Sequence, residues 1–223
     1  MRRLTLLFAL SRTPHALLDM AMPVAVAMLW LGHLPPPTVM GFGLFTVFAG
    51  YTAVYAVNDL ADYRTDRANF LAGRWDAKER LEAVYARHPI AQGLVSFRTG
   101  LVWAAGWTIA ALAGAWALNP VCAWIMLGGC VLEVIYCGLF KVTFLRTLIH
   151  GVVKTLGSAA AVLAVDAHAR WWLVMLAVAP IFCGRSAART FPLTGSTGSE
   201  MRLREPGRCA WRLGSRARPR WAS

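Results

Sequence analysis

Charged residues are scarce in this sequence, at 15% of the chain, against roughly 25% in an ordinary soluble domain. Hydrophobic residues make up 57%, and they fall in long runs rather than at scattered positions. So little charge does not cover a water-exposed surface of this size. The composition therefore excludes an ordinary soluble globular protein and predicts an integral membrane protein.

Paired cysteine spacings are also missing. Three of the five cysteines, Cys122, Cys130 and Cys137, lie within one apolar run, where thiols behave as small hydrophobic groups. This pattern excludes a disulfide framework and a cysteine zinc site. The N-terminal apolar stretch is only about seven residues long before Ser11, and no small-x-small cleavage site follows it. We therefore predict an amphipathic lead-in to the first span rather than a signal peptide.

The formal net charge of +12 would suit a nucleic-acid partner, but its distribution does not. Nine arginines and two glutamates give residues 184–223 a net charge of +7, and the remainder is spread over short polar segments. More than half of the imbalance thus belongs to a terminal tail. We expect membrane lipids and no nucleic acid as partners.

Five apolar runs are long enough to cross a bilayer, which takes about 20 residues. These runs lack the alternation of apolar and polar residues that is typical of β-strands, so they are predicted to be helices. A sixth run, 171–183, begins in the same way but stops at Gly184. The predicted fold is all-α, a multi-span transmembrane bundle over residues 1–183. The five runs cover residues 14–33, 37–57, 100–118, 120–139 and 147–165.

Lysine and arginine are distributed unequally between the two ends of these spans. With a cytoplasmic N-terminus, twelve of them lie on the cytoplasmic side and only Arg170 lies opposite. Because positive residues are enriched on the cytoplasmic side, we predict that the N-terminus and the polar loop 58–99 are cytoplasmic, in an inner or cytoplasmic membrane.

Acidic side chains cluster where the second span ends. Asn58, Asp59, Asp62 and Asp66 share a sector about 100° wide, since successive helical residues are about 100° apart. Three carboxylates on one face repel one another unless a cation joins them. Mg²⁺ suits them because it binds carboxylates together with phosphate oxygens. Zinc is disfavoured because no His or Cys is beside the cluster. The alternative is a solvated acidic turn.

The pattern N-D-x-x-D-x-x-x-D in this position resembles the first aspartate motif of the UbiA family of intramembrane aromatic prenyltransferases. The segment His88-Pro-Ile-Ala-Gln-Gly93 is similar to the family's Arg-Pro-Leu-x-x-Gly, with His in place of Arg. Tyr136 and Lys141, followed by Arg146, resemble a family segment that precedes the fifth helix. The resemblance covers about residues 10–183.

The resemblance implies five to six of the nine helices of a UbiA-type bundle around a central cavity. It further implies an isoprenyl diphosphate bound through Mg²⁺ by two aspartate motifs, and prenyl transfer to an aromatic or lipid-like acceptor, as in quinone biosynthesis. Asn58, Asp62 and Asp66 would be the first metal ligands, with Asp59 the next candidate. The catalytic residues would be Asp62, Asp66, Tyr136 near the reacting carbon and Lys141. Lys141 and Arg67 would meet the diphosphate oxygens.

Ionisable groups inside the spans are further candidates. His150 and Lys154 share one face of the fifth span, where they could reach a diphosphate or acceptor. Alternatively, Lys154 pairs with Glu133 in a structural contact. Asp19 and Glu133 could orient the acceptor, or could bond neighbouring helices.

The family's second motif should follow the sixth helix, yet residues 184–223 contain no aspartate. These residues are predicted to be either a basic disordered tail on anionic lipids or, as we favour, the product of a shifted reading frame or truncation near residue 184. The enzyme hypothesis therefore stands beside a non-catalytic membrane fragment or lipid-binding scaffold. A transporter is disfavoured, because the polar groups gather at one loop.

Overall fold

The computed structural model describes residues 3–73, 88–138 and 143–190, and all of its regular elements are α-helices. After a short α1 (Arg3–Leu10), five helices are long and apolar enough to cross a membrane, and they match the five predicted runs. The order is α1 (Arg3–Leu10), α2 (Thr13–Leu31), α3 (Pro37–Leu71), α4 (Phe97–Leu118), α5 (Pro120–Gly138), α6 (Thr143–Val165) and α7 (Trp171–Thr190).

Five helices, α2 to α6, form a closed ring. Each contacts the next in chain order, and α6 returns to contact α2, while α7 packs against α6. The bundle is apolar on its outer side as well, as a lipid-facing surface requires. Strongly exposed large side chains include Leu29, Val102, Ile109, Trp124 and Leu176, which are 65–82% exposed.

Helix α3 extends well beyond the predicted span. It runs for 35 residues, about 52 Å, so residues 58–71 of the predicted loop are helical. The sequence offers no Gly or Pro between Tyr51 and Ala72, and the helix ends just before Gly73, whose φ is 64°. The Asp cluster therefore lies on a continuous helix rather than in a loop.

Polar caps and close packing hold the two ends of the ring. Asn119 joins α4 to α5: its Oδ1 accepts from the Val121 N–H, and its Nδ2 donates to the Leu163 carbonyl of α6. At the other end, buried Leu10, Leu60 and Ile90 pack together with small residues of α3 and α4. This second cluster ties α1 and the segment 88–95 to the helix that carries the aspartates.

Helix α7 continues past the predicted boundary at residue 183, as far as Thr190. Only its Trp171–Gly184 part is apolar, which agrees with the shortened sixth run of the sequence. The remaining residues of the predicted tail lie outside the described residues.

Candidate functional site

A histidine lies between two aspartates at the end of the ring where α3 emerges. His88 Nδ1 is 2.6 Å from Asp59 Oδ1 and 2.9 Å from Asp66 Oδ2. The two aspartates are two helical turns apart, about 10 Å along the axis, so both side chains lean towards one imidazole nitrogen. Asp62 lies between them on α3 and is half-buried. One ligand atom each from Asp59, Asp66 and His88 lies within 4.8 Å of the other two.

The segment after the second span places His88 there. Its backbone is left-handed, with φ 48°, and its carbonyl accepts from the Gln92 N–H to close a turn. Ile90 and Ala91 are buried, and Ile90 lies against Gly100 of α4. This anchoring fixes the turn against α3 and α4, so that the His88 side chain, only 7% exposed, is directed at the aspartates.

Charge in this site is concentrated and shielded from solvent. Burial alone would lower the pKa of His88, but hydrogen bonds to Asp59 and Asp66 and their charges outweigh it and raise this pKa to about 9. Asp59 also faces Arg12, whose Nη2 lies 3.6 Å from Oδ1. Oδ2 of Asp59 is buried without a hydrogen-bond partner among the described residues.

The contacts of the motif residues differ from the order in which the sequence analysis named them as metal ligands. Asp59, which the sequence ranked behind the others, joins Asp66 at His88. The reason given against zinc, that no His is beside the cluster, is wrong, because the chain returns after a gap of 21 residues to place one there. Asn58 faces α5 instead, where its Oδ1 accepts from the Cys137 thiol at 3.1 Å.

The remaining predicted residues divide between this site and its surroundings. Tyr136 is buried on α5, and its ring lies 5.6 Å from that of His150 on α6, next to the Asn58 contact. Arg67 is on the exposed side of α3, where Nη1 donates to the Tyr63 hydroxyl at 3.0 Å. Lys141 lies outside the described residues.

One turn deeper on α3, a second polar group joins three helices. Lys154 of α6 forms an ion pair with Asp19 of α2 and lies 3.3 Å from the Tyr55 hydroxyl. Tyr55 itself donates to Asp19 at 2.5 Å. The Lys154 ammonium also sits over the rings of Tyr51 and Tyr55, at 4.8 and 5.0 Å from their centroids. The interhelical role predicted for Asp19 therefore has a defined partner.

A long apolar cavity of about 360 Å³ fills the ring beneath this group. All five helices line it, and its α3 wall runs from Val39 to Val57, about 27 Å. Val57 directly precedes Asn58, so the cavity ends beside the acidic motif. The charged lining residues, Glu133 and Lys154, are on α5 and α6.

Sequence reasoning missed Arg12 and the role of His88. Arg12 lies just before the first span, and His88 begins the segment that resembles a family motif. Both residues could therefore have been considered as candidates for the site. Neither contact follows from spacing along one helix, because the partners come from different parts of the chain.

Comparisons with known proteins agree with this architecture. Two solved structures of a UbiA homolog from Archaeoglobus fulgidus, one bound to DMAPP and Mg²⁺ and one bound to GPP and Mg²⁺, superpose with a TM-score of 0.61. They are 18% and 17% identical in sequence, and the matches cover 82% of this chain and 67% and 66% of theirs. No curated protein matches the chain.

A model of the UbiA prenyltransferase family matches residues 20–190, which is most of the chain and nearly all of the described helices from α2 onward. The match includes the acidic motif of α3, the His88 segment and the helices that enclose the cavity. The chain belongs to the UbiA prenyltransferase family.

Proposed function

We propose that this protein binds an isoprenyl diphosphate through Mg²⁺ at the acidic motif and transfers the prenyl group to an aromatic or lipid-like acceptor. The observation that carries the proposal is the junction of two features on one helix. The acidic motif of α3 begins at Asn58, directly after Val57, which is the last α3 residue that lines the apolar cavity. A diphosphate head and a hydrocarbon tail need these two environments side by side.

The residues present fit Mg²⁺. Carboxylate and amide oxygens are the donors that this ion prefers, and Asp59 Oδ2 is buried without a hydrogen-bond partner in the described part of the chain. Asn58, Asp62 and Asp66 would hold the ion, with Asp59 as a further ligand. When bound, Mg²⁺ neutralises the diphosphate oxygens and so favours departure of this leaving group.

Side chains of the chain itself supply the rest of the proposed chemistry. Arg67 and Lys141 would contact diphosphate oxygens, and His150 would stand near them beside Tyr136. An electron-rich ring such as Tyr136 stabilises a nearby developing carbocation, and the apolar walls exclude water that would capture it. On the proposed orientation, the acidic motif faces the cytoplasm, where the diphosphate is supplied.

Equilibrium binding of radiolabelled GPP to the full chain in detergent micelles tests the site. We expect binding in Mg²⁺ and its loss in EDTA, with affinity about 100-fold weaker in Asp62→Ala. Asp166→Asn is the matched control, because Asp166 accepts from Trp30 at the opposite end of the bundle. Equal binding by wild type and Asp62→Ala would remove the site assignment.

A prenyl-diphosphate binder without transfer activity is the second candidate. The observation that favours it is the lack of aspartate in residues 184–223, where the second motif is expected. We propose that a shifted reading frame near the end of α7 explains this composition. Sequencing the gene tests this proposal. One of the two other reading frames should encode an Asp-rich segment followed by apolar runs, and the lack of such a segment in both frames would refute it.

Transfer assays with aromatic acids, quinone precursors and lipid-like alcohols separate the two candidates. A prenylated product that depends on Mg²⁺ and on Asp62 supports the enzyme. GPP binding without product from any acceptor class supports the binder.

A further inference from the structure

The wall of the apolar cavity contains two charged side chains and a tyrosine, each from a different helix. Tyr51 of α3, Glu133 of α5 and Lys154 of α6 all line it. Glu133 is 4% exposed, and the Lys154 side chain is 10% exposed. Ionisable groups inside membrane spans are costly and are typical of functional sites. A largely apolar cavity of about 360 Å³ with a few polar groups in its wall is of the kind that binds small molecules.

Asp19 and Tyr55 hold the ammonium group of Lys154 and balance its charge. Lys154 forms an ion pair with Asp19, and its Nζ lies 3.3 Å from the Tyr55 hydroxyl. Glu133 adds a second carboxylate to the surroundings of the cavity. When ionised, the two carboxylates and the one ammonium leave this region with an excess of negative charge. An anionic ligand is therefore disfavoured here, although a lysine lines the cavity.

A hydroxyl group matches the two charged residues of the cavity wall. Its O–H donates to a carboxylate oxygen, and its oxygen accepts from an ammonium group. A carboxylate ligand has no hydrogen to donate to Glu133 and is repelled by it, and a cationic ligand is repelled by Lys154. An aromatic ring suits the apolar walls and can pack against the ring of Tyr51.

We propose that Tyr51, Glu133 and Lys154 bind the hydroxyl end of an uncharged phenolic acceptor and discriminate against aromatic acids. Glu133 accepts a hydrogen bond from the phenol, Lys154 donates one to its oxygen, and Tyr51 packs against its ring. The Lys154 ammonium lies over the rings of Tyr51 and Tyr55, which precede Asn58 by about 10 and 4.5 Å along α3. A phenol bound there lies in the part of the cavity nearest the acidic motif.

The inference deepens the proposed function by naming the class of acceptor, and it rests on that function for the fate of the bound phenol. Phenol binding itself is measured without Mg²⁺ and without prenyl diphosphate. Phenol binding combined with a failure of GPP binding would refute the proposed function and leave the phenol site standing. Mg²⁺-dependent GPP binding without phenol binding would refute the phenol site alone.

Equilibrium dialysis of the full chain in detergent tests the site, with the same detergent concentration on both sides so that partitioning into micelles cancels. The three ligands share one ring system and differ in one substituent: 2-naphthol, 2-methoxynaphthalene and 2-naphthoate. Only 2-naphthol both donates and accepts a hydrogen bond without carrying a charge. We expect the wild type to bind 2-naphthol at least about 10-fold more tightly than either of the other two.

Glu133→Gln removes the negative charge with little change in shape. It should weaken 2-naphthol binding about 10-fold and strengthen 2-naphthoate binding at least about threefold, because the repulsion of the carboxylate ligand is lost. A purely structural role of Glu133 would weaken the binding of both ligands. Asp166→Asn, the same type of change at the opposite end of the bundle, is the matched control and should alter neither affinity.

The comparison of the three ligands on the wild type does not depend on the folding of a variant. Equal affinities of the wild type for all three, or a preference for 2-naphthoate, would overturn the proposal. So would a 2-naphthol affinity that is unchanged in Glu133→Gln, or a 2-naphthoate affinity that falls together with it.

Discussion

Arg12 and His88 place their side chains on the same oxygen, Oδ1 of Asp59, at 3.6 and 2.6 Å. They share a second property: both have left-handed backbones, with φ 44° and 48°, and no other non-glycine residue in ranges 3–73, 88–138 and 143–190 has a positive φ. Such residues carry local strain that the surrounding structure must offset. Two strained turns, at the start of α2 and after α3, thus converge on one carboxylate of the site.

Arg12→Gly and Arg12→Ala separate the charge of Arg12 from its backbone strain. Both remove the guanidinium beside Asp59, so both should weaken Mg²⁺-dependent GPP binding equally. Only glycine adopts φ 44° without a steric penalty, so Arg12→Gly should be more stable than Arg12→Ala by about 1 kcal/mol. Unfolding of the full chain in detergent measures the difference. An alanine variant as stable as the glycine variant would mean that the turn is not strained.

Gly100→Ala should disturb the packing of the turn that begins at His88, because Gly100 of α4 lies against Ile90 of that segment. A Cβ at this position would lie 2.6 Å from Ile90 Cδ1, so the buried Ile90 side chain, two residues after His88, must move. We expect a loss of about 1 kcal/mol in stability and weaker Mg²⁺-dependent GPP binding.

Gly106→Ala, on the same helix, is the control for the Gly100 variant. Its Cβ would meet nothing within 4 Å, so helix propensity alone should make it neutral or up to about 1 kcal/mol more stable. The packing explanation fails if the two variants behave alike in thermal unfolding.

The Asp19–Lys154 pair should be strongly coupled. Removing one partner by Asp19→Asn or Lys154→Met deprives the other charge of this ion pair within the membrane bundle, at a cost of about 3 kcal/mol. The double variant should cost less than the sum of the two, because neither charge remains. Thermal unfolding of all four proteins gives the coupling energy, and additive losses would show that the two groups act independently.

Ala53→Phe should narrow the cavity near the acidic motif. Ala53 is 5% exposed and lines the α3 wall, so a phenyl ring there occupies space proposed for the prenyl chain. Binding of GPP should fall by at least about 10-fold more than that of the shorter DMAPP. Ile109→Phe on the lipid-facing side of α4 should affect neither. Equal losses for both diphosphates would place the tail elsewhere.

The five spans follow from the sequence because each apolar run must satisfy its own backbone hydrogen bonds in lipid, which only a helix of sufficient length does. The acidic face of α3 was predictable for a related reason, since helical periodicity fixes angular positions along one element. Even the extension of α3 to Leu71 is consistent with the lack of Gly and Pro there.

The partners of the motif were not predictable in this way. His88 is 29 residues after Asp59, and Arg12 is 47 residues before Asp59, in the turn between α1 and α2. Whether Lys154 pairs with Glu133 or with Asp19 likewise depends on which helices become neighbours. Only the ring closure of α6 on α2 brings Lys154 to Asp19.

The uninterrupted course of α3 has a consequence for substrate length. The aspartates and the cavity wall from Val39 to Val57 belong to one continuous helix without an internal proline. The distance between the proposed diphosphate site and the α3 wall of the cavity therefore does not change when the neighbouring helices move. On the proposed function, α3 fixes the distance between the bound diphosphate and the far end of the prenyl chain. Changes in bilayer thickness should then tilt the whole helix and leave the preferred prenyl length unchanged.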